Sequence, residues 1–329
     1  VSARPSLDEL VDGLRVVRLP LHTRFRGVLE REIAYVRGPL GYGEWAPFLE
    51  YDAAEASRWL LAAIESAYDG WPAAVRDEVP VNATVPAVDA GQVAGVLARY
   101  DGCETAKVKV AERGQSVQDD LDRVAAVRDV MGADARIRVD ANGGWSVDEA
   151  SDALSRLSAY GLEYAEQPCT TVEELRDLRV ALARNGVDVL VAADESIRKA
   201  EDPLRVVRMK AADVAVVKVA PLGGVRRALA VAHECGIPVV VSSALDSSVG
   251  MAAGVALAAA LPDLPFACGL GTVELLAADV TRESLVPHGG VLPTREVVVD
   301  DQLVDRWEAP AERLNHWRRR LAAAYAELG

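Results

Sequence analysis

Two rhythms of apolar and polar positions divide the chain. Within residues 1–78, Leu14 to Leu21 and Arg31 to Val36 read as strands, with the charged, turn-prone Arg24-Phe25-Arg26-Gly27 between them. Ala53 to Tyr68 carries apolar residues at helical spacing, so this region predicts a small α+β unit. From Val79 onward, short apolar segments recur near Ala83, Lys107, Arg138, Tyr164, Ala192, Val216, Val240 and Ala267, at intervals of roughly 24 to 31 residues. Helical patterns such as Asp120 to Met131, Val147 to Tyr160, Thr171 to Ala183 and Val225 to Cys235 fill most of the gaps. A strand, a helix and two loops occupy one such interval, and eight repeats predict a closed (β/α) barrel over residues 79–292. Residues 293–329 add a strand-like Glu296 to Asp300 and a helix from Ala311 to Leu328, expected to return across the barrel onto the N-terminal unit. The competing doubly wound sheet would need a G-x-G-x-x-G turn, and Gly143-Gly144, Gly223-Gly224 and Gly269-x-Gly271 lack that spacing.

Composition narrows the function more than the fold. The 329 residues are 50% hydrophobic and carry a net charge of -14, which argues against a nucleic-acid partner, whose phosphates require a basic surface. Val1 to Asp8 has no apolar export core, and the longest apolar stretch, Val249 to Leu261, is too short to span a bilayer. A cytoplasmic location and no membrane partner are therefore expected. Cys103, Cys169, Cys235 and Cys268 form no C-x-x-C pair, and His22, His233, His288 and His316 are scattered, so neither a zinc knuckle nor imidazole chemistry is indicated.

Lysine usage changes the picture. Only Lys107, Lys109, Lys199, Lys210 and Lys218 occur among 36 basic residues, and three of them interrupt apolar, strand-like segments. Lys107 and Lys109 share one face of their strand by period two. In a barrel strand both faces are covered, so two adjacent ammonium groups there are costly unless they have a function.

Three successive segments then end in an acid, namely Asp140 before Asn142-Gly143, Glu166 before Gln167-Pro168, and Asp194 before Glu195-Ser196. Each alone reads equally well as a cap for the following helix. Together, on neighbouring strands about 5 Å apart, they can converge, and a hard divalent cation, best Mg²⁺, neutralises such a set. Lys218 ends the sixth segment, four strands from Lys109 in an eight-stranded barrel, and so approaches a bound substrate from the opposite side. That arrangement serves proton abstraction beside a carboxylate. The seventh and eighth segments end in small residues, among them Ser242, Gly269 and Gly271, which leave room for a ligand and offer hydroxyl and N–H groups. Capping by Ser247 accounts equally for part of the serine cluster.

The ordered set Lys107-x-Lys109, Asp140-x-Asn142, Glu166-Gln167-Pro168, Asp194-Glu195-Ser196 and Lys218 resembles the muconate-lactonising branch of the enolase superfamily, over the whole chain. The resemblance implies a modified TIM barrel, (β/α)7β, under an α+β capping domain built from residues 1–78 and the C-terminal return. It implies Mg²⁺ on Asp140, Glu166 and Asp194, with Lys109 as general base. Lys107 would keep the neutral amine of Lys109 accessible by like-charge proximity, and Lys218 would be the opposed lysine. Asn142 would support the metal site and Glu195 would orient its surroundings; Arg138, Ser242, Gly269 and Gly271 complete the expected neighbours of substrate. Arg24 to Gly27 is expected to lie over the barrel mouth.

Within that branch the compact cap and the Ala192 to Ser196, Lys218 to Gly224 and Ser242 to Gly250 segments look most like dehydratases of menaquinone synthesis. The implied reaction is loss of water from 2-succinyl-6-hydroxy-2,4-cyclohexadiene-1-carboxylate, a small-molecule carboxylate. N-acylamino acid racemization and dipeptide epimerization are the alternatives, although the usual acidic pair near the eighth strand is replaced by Gly269-Leu270-Gly271-Thr272. A binding module without catalysis would have no need of two opposed lysines.

Overall fold

The computed structural model describes residues 4–198 and 202–329. Three strands, β1 (Arg15–Phe25), β2 (Val28–Gly38) and β3 (Gly41–Trp45), form an antiparallel meander. Phe25 pairs with Val28 across the two-residue turn Arg26-Gly27, both at positive φ, as a turn matched to strand twist requires. The third strand has no counterpart in the sequence reading, because Gly41-Tyr-Gly-Glu-Trp45 is too rich in glycine to stand out.

The helix Ala53–Ile64, capped by Asp52, lies on this sheet and continues into a π-helical turn, Glu65–Asp69. Its core with the sheet includes Trp45, Trp59 and Leu60 together with Trp317 and Leu321 of the C-terminal helix Ala311–Ala326. Trp45 and Trp317 meet edge to face at 5.3 Å, and Glu32 accepts from Arg313 Nη2 at 2.7 Å and from Trp317 Nε1 at 2.9 Å.

Glu296 to Asp300 is not a strand, contrary to its alternating pattern. Val297 and Val299 do pack inward and Val298 is exposed, but the segment joins no ladder. Its end serves instead as the cap of the helix Asp301–Arg306, where Asp300 accepts from Gln302 N at 2.9 Å. The strand of this region lies earlier. Two short strands, β4 (Glu78–Pro80) and β12 (Val291–Pro293), pair antiparallel beneath the barrel proper.

Between them runs the parallel sheet β5 (Ala83–Val85), β6 (Thr105–Lys109), β7 (Arg136–Asp140), β8 (Leu162–Glu166), β9 (Leu190–Ala193), β10 (Val214–Val217) and β11 (Val239–Val241), in sequential order. The eighth segment closes it through isolated parallel bridges, Val81 with Cys268 and Ser242 with Gly269, rather than as a full strand. Cys268 N donates to Pro80 O at 2.7 Å and Gly269 N to Val241 O at 2.8 Å, joining the segment that leads into β5 to the end of β11. A Cβ on Gly269 would lie 2.5 Å from Ser242 Oγ, and one on Gly271 would lie 2.6 Å from Asn82 O. These glycines allow the closing approach.

The cap docks on the barrel through two carboxylates. Glu44 accepts from Ser247 Oγ at 2.6 Å and Gly250 N at 2.9 Å, at the N-terminus of the helix Ser248–Ala260. Glu65 accepts from Val225 N and, at 3.2 Å, from Arg226 N, at the N-terminus of Val225–Cys235. Each carboxyl group satisfies orphan N–H donors at the positive end of a helix dipole. Positions 224 and 250 are glycine because a Cβ there would run into those carboxylates, at 2.4 Å from Glu65 Oε2 and 2.8 Å from Glu44 Cδ.

Burial, with the Asp246 carboxylate nearby, pushes Glu44 up to about 8 from its ordinary 4.5. The folded chain then holds a proton that the unfolded chain releases, so this group's contribution to stability falls as pH rises from 4.5 through about 8. Urea denaturation across that interval is expected to show a flatter pH dependence for Glu44→Gln than for the unsubstituted protein. Equal slopes would contradict it.

Candidate active site

The charged residues sit at the C-terminal rim, where barrel strands give way to loops. Register places Lys109, Asp140 and Glu166 at one level on β6, β7 and β8, level with Ala192 on β9, and Asp194 lies just past the end of β9. Lys107 and Arg138 pair one step lower. Asp140, Glu166 and Asp194 are buried, as are Lys107 and Lys218.

Each buried acid has a cation. Lys107 Nζ donates to Glu166 Oε2 at 2.9 Å and stands 3.7 Å from Asp140 Oδ2. Lys109 Nζ donates to Asp140 and, at 2.7 Å, to Asn142 Oδ1. Lys218 Nζ reaches Asp194 Oδ2 at 2.6 Å, and Arg198 Nε reaches Asp194 Oδ1 at 3.1 Å. Asn142 Nδ2 and Arg198 Nη2 both donate to Glu195 Oε1, at 3.1 and 2.7 Å.

These pairs set the protonation. Burial alone would raise Asp140, but Lys109 and Lys107 hold it below the usual carboxylate range. Burial likewise opposes ionisation of Asp194, and Lys218 with Arg198 overcomes it, holding that carboxyl well below the usual range. At Glu166 burial and the Asp140 charge win over Lys107 and push the carboxyl up to about 7. Lys107 is pulled down by burial and raised above its ordinary value by Glu166 and Asp140.

Loop geometry at the rim is strained in the manner of functional sites. Ala111, Asn142, Gln167 and Leu245 are non-glycine residues at positive φ, and each lies within a few residues of a barrel strand's end. At Asn142 the compensation is visible, because its N–H reaches Asp140 Oδ1 at 3.0 Å. Gln167 ties two strand ends together. Its Oε1 accepts from Asp194 N at 3.0 Å and Ser196 N at 3.2 Å, while Nε2 donates to Ser196 Oγ at 2.7 Å.

Not every expected neighbour lies at this rim. Arg138 plugs the barrel interior below it, stacked 4.7 Å from the Tyr164 ring and 5.7 Å from Phe266, with Nη1 on Ala267 O at 2.6 Å. A register shift between Ile137 and Arg138 brings Glu163 to pair with it. Gly269 and Gly271 serve the closing seam described above. Ser242 Oγ stands at that seam, 3.4 Å from Gly269 O, and also borders a small recess of about 20 Å³ shared with Lys218, Asp246 and Glu44. From the cap, the Phe25 ring lies 5.6 Å from Lys109 Nζ, so the Arg24 to Gly27 turn reaches the barrel mouth.

Arg198 and Tyr51 have no counterpart among the residues the sequence singles out, and Gln167 is named there only within the Glu166-Gln167-Pro168 motif. Arg198 is spaced i,i+4 from Asp194, a signal that was available. Tyr51, whose hydroxyl accepts from Arg198 Nη1 at 2.9 Å, is 147 positions away and had none.

The site is unusually well balanced, with Asp140, Glu166, Asp194 and Glu195 facing Lys107, Lys109, Lys218 and Arg198. Among the described residues no group of three acidic, His or Cys side chains is arranged to hold a metal ion. Lysine ammonium groups lie instead on Asp140, Glu166 and Asp194. The residues nonetheless suit a divalent cation, since three buried carboxylates end adjacent strands and Glu195 Oε2 is buried without a hydrogen-bond partner. Among the described residues no helix is long and apolar enough to cross a membrane.

Known proteins resemble the chain along nearly its whole length. The family described as Enolase C-terminal domain-like matches residues 90–297, and Enolase N-terminal domain-like matches residues 16–67. The chain is 56% identical over 313 residues to the o-succinylbenzoate synthase of Thermobifida fusca, covering 95% of this chain and 96% of the relative. It is 55% identical to that of Mycolicibacterium smegmatis, with 98% of each chain covered. In fold it is similar to the muconate lactonizing enzyme of Pseudomonas putida, at a TM-score of 0.74 and 21% identity over 90% of this chain and 98% of that one. The dipeptide epimerase of Enterococcus faecalis gives a TM-score of 0.69 at 21% identity, over 87% and 96%.

Lys107 is the nearest cation to Glu166. In the metal-free protein, Lys107→Met is expected to move the Glu166 titration above about 7, because the opposing positive charge is lost. Carboxyl-carbon NMR titration of labelled glutamate reads this directly, and an unmoved midpoint would contradict it.

Proposed function

The chain belongs to the o-succinylbenzoate synthase family of enolase-like proteins, and from that membership we propose the dehydration of 2-succinyl-6-hydroxy-2,4-cyclohexadiene-1-carboxylate to 2-succinylbenzoate, a step of menaquinone synthesis, as its reaction. The observation that carries the proposal is the pair Lys109 and Lys218, on strands four apart, flanking Asp140, Glu166 and Asp194. The racemase and epimerase readings are weaker, because relatives matched at 55–56% identity along nearly the whole chain are o-succinylbenzoate synthases.

Asp140, Glu166 and Asp194 would hold a magnesium ion, which supplies positive charge beside the substrate's ring carboxylate. Electroneutrality favours this assignment. Four carboxyl groups face four basic side chains, and a divalent cation arriving with a substrate of two carboxylates adds no net charge to a buried site.

With a cation on those carboxylates, Lys109 and Lys218 would be free of the ion pairs they make here. Lys109 takes the proton from the ring carbon that bears the carboxylate, and electron density moves onto that carboxylate. Lys218, from the opposite side, stabilises the growing negative charge. Lys109 then returns its proton to the hydroxyl on the neighbouring ring carbon. The C–O bond breaks, water leaves from the same face, and the ring becomes aromatic. Asn142 holds Lys109 in place throughout, and Phe25 covers it from the cap.

Lys109→Ala and Lys218→Ala are each expected to lower turnover of the cyclohexadiene by about 10²- to 10⁴-fold. Asp194→Ala, or exhaustive chelation, is expected to abolish it with the fold retained by circular dichroism. Full turnover after chelation would overturn the metal assignment, and faster processing of N-acylamino acids than of the cyclohexadiene would overturn the dehydratase assignment.

A further inference from the structure

Arg198 is the one cation of the site whose donors are spread over three separate partners. Its Nε holds Asp194 Oδ1 at 3.1 Å, its Nη2 holds Glu195 Oε1 at 2.7 Å, and its Nη1 donates to the Tyr51 hydroxyl of the cap at 2.9 Å. The side chain is 2% exposed. The lysines differ in kind, being point charges on flexible stems that can turn away when another cation arrives. A planar guanidinium held at three corners cannot.

Asp194 is thereby divided between a permanent and a replaceable partner. Arg198 keeps Oδ1, while Oδ2 is on Lys218 at 2.6 Å. The same guanidinium lies in a continuous hydrogen-bonded path between the opposed lysines, from Lys218 through Asp194, Arg198, Glu195 and Asn142 to Lys109.

We propose that Arg198 is a positioning residue for metal binding, which fixes the orientation of Asp194 so that its other oxygen is presented to the cation, and that Tyr51 makes this orientation depend on the docked cap. The proposal rests on Asp194 being a metal ligand, as proposed above. A simple i,i+4 helix pair would add stability alone. A positioning role instead requires that metal affinity change while the fold does not.

The test is calorimetric titration of the substrate-free protein with Mg²⁺ alone, beside thermal melts without metal. Arg198→Lys retains the charge but cannot hold three partners, and its Mg²⁺ affinity is expected to fall about ten-fold or more with a native melt. Tyr51→Phe removes one hydroxyl and is expected to lower Mg²⁺ affinity about three-fold or more. If Arg198→Lys does not fold, Tyr51→Phe decides. Native variants that bind Mg²⁺ as the unsubstituted protein does overturn the proposal, as does a Tyr51→Phe variant that loses thermal stability without losing affinity. Asp194→Asn separates the two readings. Loss of Mg²⁺ binding in Asp194→Asn with unchanged binding in Arg198→Lys defeats only the positioning role, whereas undiminished binding in Asp194→Asn defeats the ligand assignment and the proposal with it.

Discussion

Burying three carboxylates at the mouth of one barrel, with the partly exposed Glu195 beside them, is the constraint on which the rest of this structure depends. An isolated carboxylate in a low-dielectric interior costs several kcal/mol or more, and Asp140, Glu166 and Asp194 are almost wholly removed from water. The chain answers with Lys107, Lys109, Lys218 and Arg198, one cation for each acid of the set that includes Glu195. This accounts for the placement of three of its five lysines inside barrel strands or at their ends, in a sequence that otherwise takes its positive charge from arginine.

Directional hydrogen bonds join the cap to the barrel. Glu44 and Glu65 leave the cap and complete the N-termini of two successive barrel helices, while Arg198 leaves the barrel and meets Tyr51 of the cap. Apolar packing alone would permit the cap to slide. Directional bonds to helix N–H groups do not, and glycine at 224 and 250 leaves the carboxylates the only space in which they fit. The position of the Phe25 ring over Lys109 follows from this registration, since the hairpin that carries it is part of the same meander as Glu44.

Barrel closure and barrel filling are handled by residues whose chemistry looks functional in isolation. Gly269 and Gly271 admit the eighth segment between Ser242 and Asn82, and Arg138 fills the interior between Tyr164 and Phe266 with its charge matched by Glu163. A buried arginine stacked on aromatic rings is a structural solution here, one layer beneath the carboxylates it might have been thought to serve.

The (β/α) rhythm, the α+β unit before it and the acids ending three consecutive strands were legible in the chain because each is a local pattern. Period two puts Lys107 and Lys109 on one face, and strand order follows segment order, so adjacency of Asp140, Glu166 and Asp194 needs no coordinates. The alternation at Glu296 to Asp300 was equally legible and misleading, since burial of Val297 and Val299 occurs without a strand partner. Tertiary structure alone decided the rest. Which cation pairs with which acid, that Arg138 lies below the rim, that Glu44 and Glu65 end as helix caps, and that Tyr51 meets Arg198 all depend on contacts between positions tens to hundreds of residues apart. Local sequence sets strand and helix because backbone propensity and periodicity act over a few residues. Ion pairing is settled by distance in the folded molecule, which no periodicity encodes.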